Sequence, residues 1–241
     1  MPRFVVNQGI CRGGIGGLIC ALLLGCQEHP AASPPSAPAT TTVDPAATAA
    51  DWSKLLESTR AAGHTHIFFD QPLSNAQVAQ LSALPELKVI ELPRAACDSD
   101  AWEKLLSITQ LQILRLGETN LTDADFAKLR SSSGLCWPEL TQLNLASCQA
   151  GNSALQIVSE HPRLELLCWR MSDVEDAGLA ALAKCGNLRF LILTRARITG
   201  VGLLELAKLP RLESLYLAGN PLREEYQIQL QHERPDLHPD W

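Results

Sequence analysis

A single phrase, L-x-x-L-x-L, restarts six times in this chain: Leu87 to Leu92, Leu111 to Leu116, Leu140 to Leu145, Leu164 to Trp169, Leu188 to Leu193 and Leu212 to Leu217. Successive starts lie 24, 29, 24, 24 and 24 residues apart. A period of this length describes a stack of like units, each packed only on its neighbours, so the chain reads as a solenoid. Such a stack presents a long curved surface, and its usual business is to hold other molecules there.

The phrase has a direct physical reading. Strand side chains alternate between faces, so its first, fourth and sixth positions point inward and the residues between them point out. One short strand cannot bury its apolar row alone; stacked strands form a parallel sheet that buries a continuous ribbon of leucine. A second apolar anchor follows each strand, at Cys97, Leu121, Ala150, Val174, Ile198 and Leu222. Apolar pairs three residues apart come next: Trp102 and Leu105, Phe126 and Leu129, Leu155 and Val158, Leu179 and Leu182, Leu203 and Leu206. That spacing predicts a helix with one face turned to the sheet. Pro85, Pro138, Pro162 and Pro210, with Gly186 once, stop these helices before the next strand.

Two segments narrow the type. Val174 to Leu182 (VEDAGLAAL) and Leu121 to Leu129 (LTDADFAKL) resemble the x-T-D-x-G-L-x-x-L phrase of ribonuclease-inhibitor-like and GALA-type leucine-rich repeats. The resemblance covers roughly residues 64–230. It implies an α/β leucine-rich-repeat solenoid, a short horseshoe with its parallel sheet on the concave face and its helices on the convex face. It also implies protein–protein contact and supplies no catalytic residue. Two departures stand out. The unit from 111 carries five extra residues around Ser131–Leu135, and the asparagine that usually follows the strand remains only as Asn220. Thr119, Cys148 and Ser172 are substitutes, whereas Ala95 and Ala196 lack a side-chain donor or acceptor, so those turns need another stabiliser.

A solenoid needs capped ends. Ile67–Phe69 with Leu73 and Leu81 reads as a degenerate first unit, preceded by an amphipathic helix N-capped at Asp51. Polar, helix-prone Arg223–Glu233, ended by Pro235, reads as the rear cap. The expected domain therefore runs from 51 to 241, about 190 residues and enough for one core.

Residues 1–26 are set apart from that fold. Arg3 and Arg12 precede an apolar run from Gly13 to Gly25, too short to span a bilayer but suited to a signal peptide. The run ends Leu23-Leu24-Gly25-Cys26, which resembles a bacterial lipobox and implies lipidation of Cys26; an ordinary cleaved signal peptide is the alternative. Residues 27–50 are rich in Ala, Pro, Ser and Thr and read as an extended tether. Gln27 after the cysteine resembles an outer-membrane sorting signal. Together these features predict an exported protein of the bacterial cell envelope, held to the membrane by an N-terminal lipid.

Charge and motifs exclude more than they select. The net charge of −6 and scattered basic residues do not form a nucleic-acid footprint. No P-loop, G-x-S-x-G or H-E-x-x-H occurs, so neither an enzyme nor a cofactor is expected. His64 and His66 share one side of a strand but lack a third ligand, and read as exposed edge histidines rather than a metal site. Asp98 with Asp100, and Asp123 with Asp125, recur at helix starts and read as caps rather than catalytic carboxylates. Three of the eight cysteines lie in the first 26 residues. Cys97, Cys148 and Cys185 fall at core or turn positions and read as small hydrophobes. Cys168 alone turns to the concave face, as an inert surface thiol or a reactive one.

The concave sheet is the remaining surface. Its outward residues are Val89, Glu91 and Pro93; Ile113, Arg115 and Gly117; Gln142, Asn144 and Ala146; Leu166, Cys168 and Arg170; Phe190, Ile192 and Thr194; Ser214, Tyr216 and Ala218. Equivalent positions stack, so Leu166, Phe190, Ile192 and Tyr216 are expected to form an exposed apolar ridge flanked by Arg115, Arg170 and Arg195. A contiguous apolar patch of that kind marks a protein-binding site. The candidate contact residues are Ile113, Arg115, Asn144, Leu166, Cys168, Arg170, Phe190, Ile192 and Tyr216. Self-association through the same face, as a structural envelope component, is the competing reading, and a thiol activity at Cys168 a third.

Overall fold

The structure is a computed structural model that describes residues 4–5, 49–69, 73–84, 86–133 and 137–241. Seven short strands follow one another in parallel: β2 (His66–Phe69), β3 (Val89–Glu91), β4 (Ile113–Arg115), β5 (Gln142–Asn144), β6 (Leu166–Cys168), β7 (Phe190–Ile192) and β8 (Ser214–Tyr216). Helices alternate with them: α1 (Ala49–Ala61), α2 (Asn75–Gln80), α3 (Ser99–Leu106), α4 (Asp123–Ser133), α5 (Asn152–Val158), α6 (Asp176–Leu182), α7 (Leu203–Ala207) and α8 (Glu224–Glu233). A two-residue strand, β1 (Phe4–Val5), pairs antiparallel with Phe69 and Phe68 on the outer edge of β2. Those two residues lie in the stretch set apart from the fold by sequence. An edge strand presents unpaired backbone groups, and a short apolar segment satisfies some of them.

The register carries the repeat directly into space. Ile90, Leu114, Leu143, Leu167, Leu191 and Leu215 are Cα partners from strand to strand, and each is at most 1% exposed. The helix residues Trp102, Leu105, Phe126, Leu155, Val158, Leu179, Leu182, Leu203 and Leu206 pack into the same core. Aromatic rings fill its middle: Phe126 meets Trp137 edge-on at 6.3 Å and lies 6.4 Å from Trp169. A fully buried aliphatic or aromatic side chain contributes about 1.5–3 kcal/mol by leaving water, so the inner rows hold the fold together. Leu230 of α8 and Leu237 close the rear, and Trp52 of α1, packed on Phe69 at 5.3 Å, closes the front. α1 starts at Ala49, so Asp51 lies in its first turn and does not cap it from outside.

The turns after the strands share one conformation. Arg94, Glu118, Ser147, Met171 and Arg195 all have positive φ, between 51° and 62°, and Gly219 occupies the equivalent place at 78°. Each of the five donates its backbone N–H to a carbonyl of the next turn, as Arg94 does to Gly117 and Arg195 to Ala218. That ladder satisfies groups that the bend would otherwise leave bare. Thr119, Ser172 and Asn220 each donate to the carbonyl three residues back, so the first two do stand in for the usual asparagine. The alanine turns are held from the neighbouring unit. Asn120 accepts from Cys97 N and Trp102 Nε1 and donates to Cys97 O; Asn220 accepts from Ile198 N and donates to Leu193 O.

Acidic residues tie the helix starts together, partly as expected. Asp98 caps α3 by accepting from Ala101 N at 2.8 Å. Asp123 instead caps the following helix, accepting from Gly151 N and Ala154 N. Asp176 does likewise, accepting from Thr199, Gly200 and Gly202. Burial works against the Asp176 carboxylate, but these hydrogen bonds outweigh it and hold its pKa below the ordinary carboxylate value. Gly202 is small for the same reason: a Cβ there would lie 2.6 Å from the Asp176 carbonyl oxygen.

Cys26, its leader from residue 6 on and the tether up to residue 48 lie outside the described residues, as do Pro85 and Cys136. Among the described residues no helix is long and apolar enough to cross a membrane.

Candidate interaction surface on the concave sheet

Two columns of side chains stand on the face of the sheet opposite the main core. The register stacks Val89, Ile113, Gln142, Leu166, Phe190 and Ser214 in one, and Glu91, Arg115, Asn144, Cys168, Ile192 and Tyr216 in the other. The sequence-predicted contact residues Ile113, Arg115, Asn144, Leu166, Cys168, Phe190, Ile192 and Tyr216 are thus brought together, with Arg170 just beyond β6. The columns change character half-way along.

From β2 to β5 the face is half-buried and mixed, with Phe68, Val89 and Ile113 standing among charged and amide side chains. His66 Nε2 lies 2.9 Å from Glu91 Oε1, and Arg115 reaches the same oxygen at 2.6 Å. Arg115 also donates to Gln142 at 3.4 Å, and Asn144 Oδ1 accepts from Ala146 N. Burial raises the Glu91 pKa, but hydrogen bonds from His66 and Arg115 and the guanidinium charge prevail and leave it below the ordinary value. His66 is therefore not an exposed edge residue. β2 is followed by β3, and Glu91 on that neighbour gives the imidazole a partner. Among the described residues no cluster of three or more His, Cys, Asp or Glu side chains is placed to hold a metal.

On β6 and β7 the face is apolar and closed to water. Leu166 is 2% exposed, Cys168 1%, Phe190 7% and Ile192 1%; with Ala146 and the flanking Tyr216 they form a second hydrophobic cluster, separate from the main core. The expected stacking is present and the expected exposure is not. The side chains named as an open ridge are a small core of their own. Ile113, at the position equivalent to Leu166, stays partly exposed, so the closure is local to β6 and β7. Cys168 shares it: burial pushes its thiol pKa up to about 11, with Arg170 pulling the other way. A surface thiol, inert or reactive, is thereby replaced by a buried one. Cys97 and Cys148 are also pushed up to about 11, and Cys185 to about 12, by burial above all.

A second polar feature was not anticipated from the repeat. Beside the starts of β7 and β8, Glu165, Arg189, Arg211, Glu213, Arg234 and Asp236 line a shallow cleft. Arg189 and Arg234 make paired hydrogen bonds to Glu213 and Asp236, and Arg234 also donates to the carbonyls of Ala207, Leu209 and Leu212. The cleft thus spends its charge internally, fastening the rear cap to the last units. The signal was the 24-residue spacing of Glu165, Arg189 and Glu213, which the leucine pattern overshadowed.

Comparison with known proteins places this architecture. No family model and no curated protein matches the sequence. Among solved structures, internalin C2 of Listeria monocytogenes superimposes with a TM-score of 0.51 over 72% of this chain and 78% of its own, at 19% identity. The fold is a leucine-rich-repeat solenoid. A leucine-rich-repeat protein of Leptospira interrogans aligns over 68% of this chain and 51% of its own, with 17% identity and a TM-score of 0.39. In a solenoid the inner rows specify the fold and leave the facing columns free to differ, which is where function is sought.

Proposed function

We propose that this chain is a non-catalytic protein-binding module that receives its partner on the concave sheet. The observation that carries this reading is the polar half of that sheet. Glu91, Arg115 and Asn144 stand in register across three strands with Gln142 beside them, partly open to solvent, and ion pairing and hydrogen bonding orient Glu91, Arg115 and Gln142. Preorganised polar groups of this kind bind without first losing side-chain freedom. The apolar half, with Leu166, Phe190, Ile192 and Tyr216, lies beside it and bounds the surface. A solenoid fold shared with internalin C2 is consistent with such use.

Attachment is part of the proposal. The apolar run ending in Leu23-Leu24-Gly25-Cys26 and the Ala/Pro/Ser/Thr-rich stretch after it support export, lipidation at Cys26 and a tethered place on the bacterial cell envelope, the outer membrane being favoured by Gln27. Replacing Cys26 with Ala should move the protein from the membrane fraction to the soluble one and abolish incorporation of labelled fatty acid. Unchanged fractionation and labelling would remove the anchor from this reading.

The binding claim is tested by cross-linking capture from envelope extracts, using the full chain beside an Arg115→Glu/Gln142→Glu variant. These positions are partly exposed, so the variant is expected to stay folded, unlike charge substitutions at Phe190 and Ile192. A protein captured by the wild type and lost by a folded variant supports concave-face binding. Equal capture by both overturns it. Recovery of the chain's own copies alone turns the assignment to self-association, the alternative reading.

A further inference from the structure

Where the unit with five extra residues meets the next, two buried rings each leave a polar atom without a partner among the described residues. Trp137 Nε1 and His161 Nε2 have no hydrogen-bond partner among the described residues. Their rings are stacked with centroids 5.1 Å apart and planes inclined by 30°, and the residues are 0% and 2% exposed. The stack joins two successive units: Trp137 leads into β5, and His161 follows α5. Buried polar atoms are almost always satisfied in a folded protein, so two such atoms in one contact call for an explanation.

The geometry assigns the histidine's state. Nδ1 lies 2.9 Å from the Val158 carbonyl oxygen, which only accepts, so Nδ1 carries the proton and Nε2 keeps a lone pair. In that tautomer the ring is neutral and tolerates an apolar wall. A second proton would turn Nε2 into a donor with nothing to donate to, and would place a charge against the indole. The charged groups around it do not offer relief. Glu160, the adjacent residue, favours the protonated ring but is already engaged by Arg130 of α4 at 2.8 Å. On the other side Arg163 pairs with Glu139. The following unit contributes the Cys185 thiol, which donates to Ser159 O at 3.5 Å, and Lys184 beside it in sequence.

We propose that the His161–Trp137 stack is an acid-released latch: with a neutral imidazole it holds the start of β5 against the end of α5, and protonation lets the two part. Burial is the main cause lowering the His161 pKa, with hydrogen bonds to the Val158 and Ile157 backbone and the Glu160 charge opposing it. The folded value lies below the unfolded one, so the latch is fully closed above about pH 6.5 and weakens as pH falls toward the folded value.

Hydrogen exchange on the full chain at pH 7 and pH 5.5, corrected for intrinsic rates, tests this in peptides covering 137–143 and, as an internal control, 188–193. Coupling to one proton with an unfolded pKa near 6.5 predicts a loss of protection at 137–143 of at most roughly tenfold, with little change in the control. His161→Phe, which keeps a ring and removes the titration, should retain protection at both pH values. A parallel NMR titration of the histidine Cε1 protons, in the wild type alone, locates the His161 protonation. The same loss in His161→Phe overturns the latch. So does a wild type that stays protected after His161 is protonated.

Discussion

The two halves of the concave sheet share one backbone and differ in almost everything placed on it. In the columns from β3 to β5, Glu91, Arg115 and Asn144 form a half-buried polar array; the same column continues through Cys168 and Ile192, which are 1% exposed. The strands on both sides keep the same parallel register and the same inner row of Ile90, Leu114, Leu143, Leu167 and Leu191. The lesson is that the inner row holds the solenoid while the facing columns are free to become either an ionic surface or a second core. One half leaves its polar side chains partly open to solvent and the other buries its apolar ones.

The sharpest way to break this comparison is by truncation. Phe190→Ala is expected to cost about 3–5 kcal/mol and Ile192→Ala about 2–5 kcal/mol in urea unfolding. Asn144→Ala, on the polar side, should cost about 1 kcal/mol, the value of one hydrogen bond. If the apolar pair also cost under about 1 kcal/mol, the second cluster would be a bare ridge after all.

Cys168→Ser tests the same closure through chemistry. It should destabilise by about 1–3 kcal/mol, because a hydroxyl costs more than a thiol to remove from water. In the native wild type a thiol reagent should label Cys168 only as fast as the domain unfolds. Rapid labelling of the folded protein at pH 7 would show an accessible thiolate and revive a thiol activity.

Acid titration probes the polar half. The Glu91 pKa is lowered in the folded state, so its stabilisation is complete above the unfolded value of about 4.3 and is lost as pH falls through the folded value. Glu91→Gln should therefore flatten stability against pH below about 5, measured by thermal melts, and leave Phe190 and Ile192 variants as acid-sensitive as the wild type. An unchanged acid limb in Glu91→Gln would mean that the His66–Glu91–Arg115 network contributes nothing in solution.

The smallest effect expected lies in the turns that link the halves. Gly219→Ala should cost about 1 kcal/mol, since φ is 78° and a Cβ would meet the Arg195 side chain at 2.9 Å. Met171→Gly, at the equivalent turn, should gain a few tenths of a kcal/mol at most, relief of strain being offset by backbone entropy. A gain for Gly219→Ala with a loss for Met171→Gly in chemical denaturation would show that the turn ladder, rather than intrinsic preference, decides these positions.

Much of this was readable from residues alone. The 24-residue period placed every strand from β3 to β8, because a leucine row that must be buried leaves one register open. Thr119 and Ser172 were legible as turn residues, since their hydroxyls act on a carbonyl three places back in the same turn. Asn120 was not, although it stands next to Thr119; its bonds run to Cys97 and Trp102, more than a turn away in sequence. Asp123 misled in the same manner, and Asp176 behaves as it does. A carboxylate at a helix start suggests a local cap, whereas the partners of both belong to the next unit.

The amino-acid sequence by itself determined the solenoid, its period, its inner rows and the identity of both facing columns, because each follows from alternation and burial along the chain. Only the tertiary structure decided how far along those columns water can reach. Burial of Leu166, Cys168, Phe190 and Ile192, the partners of His66 and Asn120, and the stacking of Trp137 on His161 all depend on distances between units. Those distances arise when the whole stack packs, and no local rule along one strand or one helix contains them.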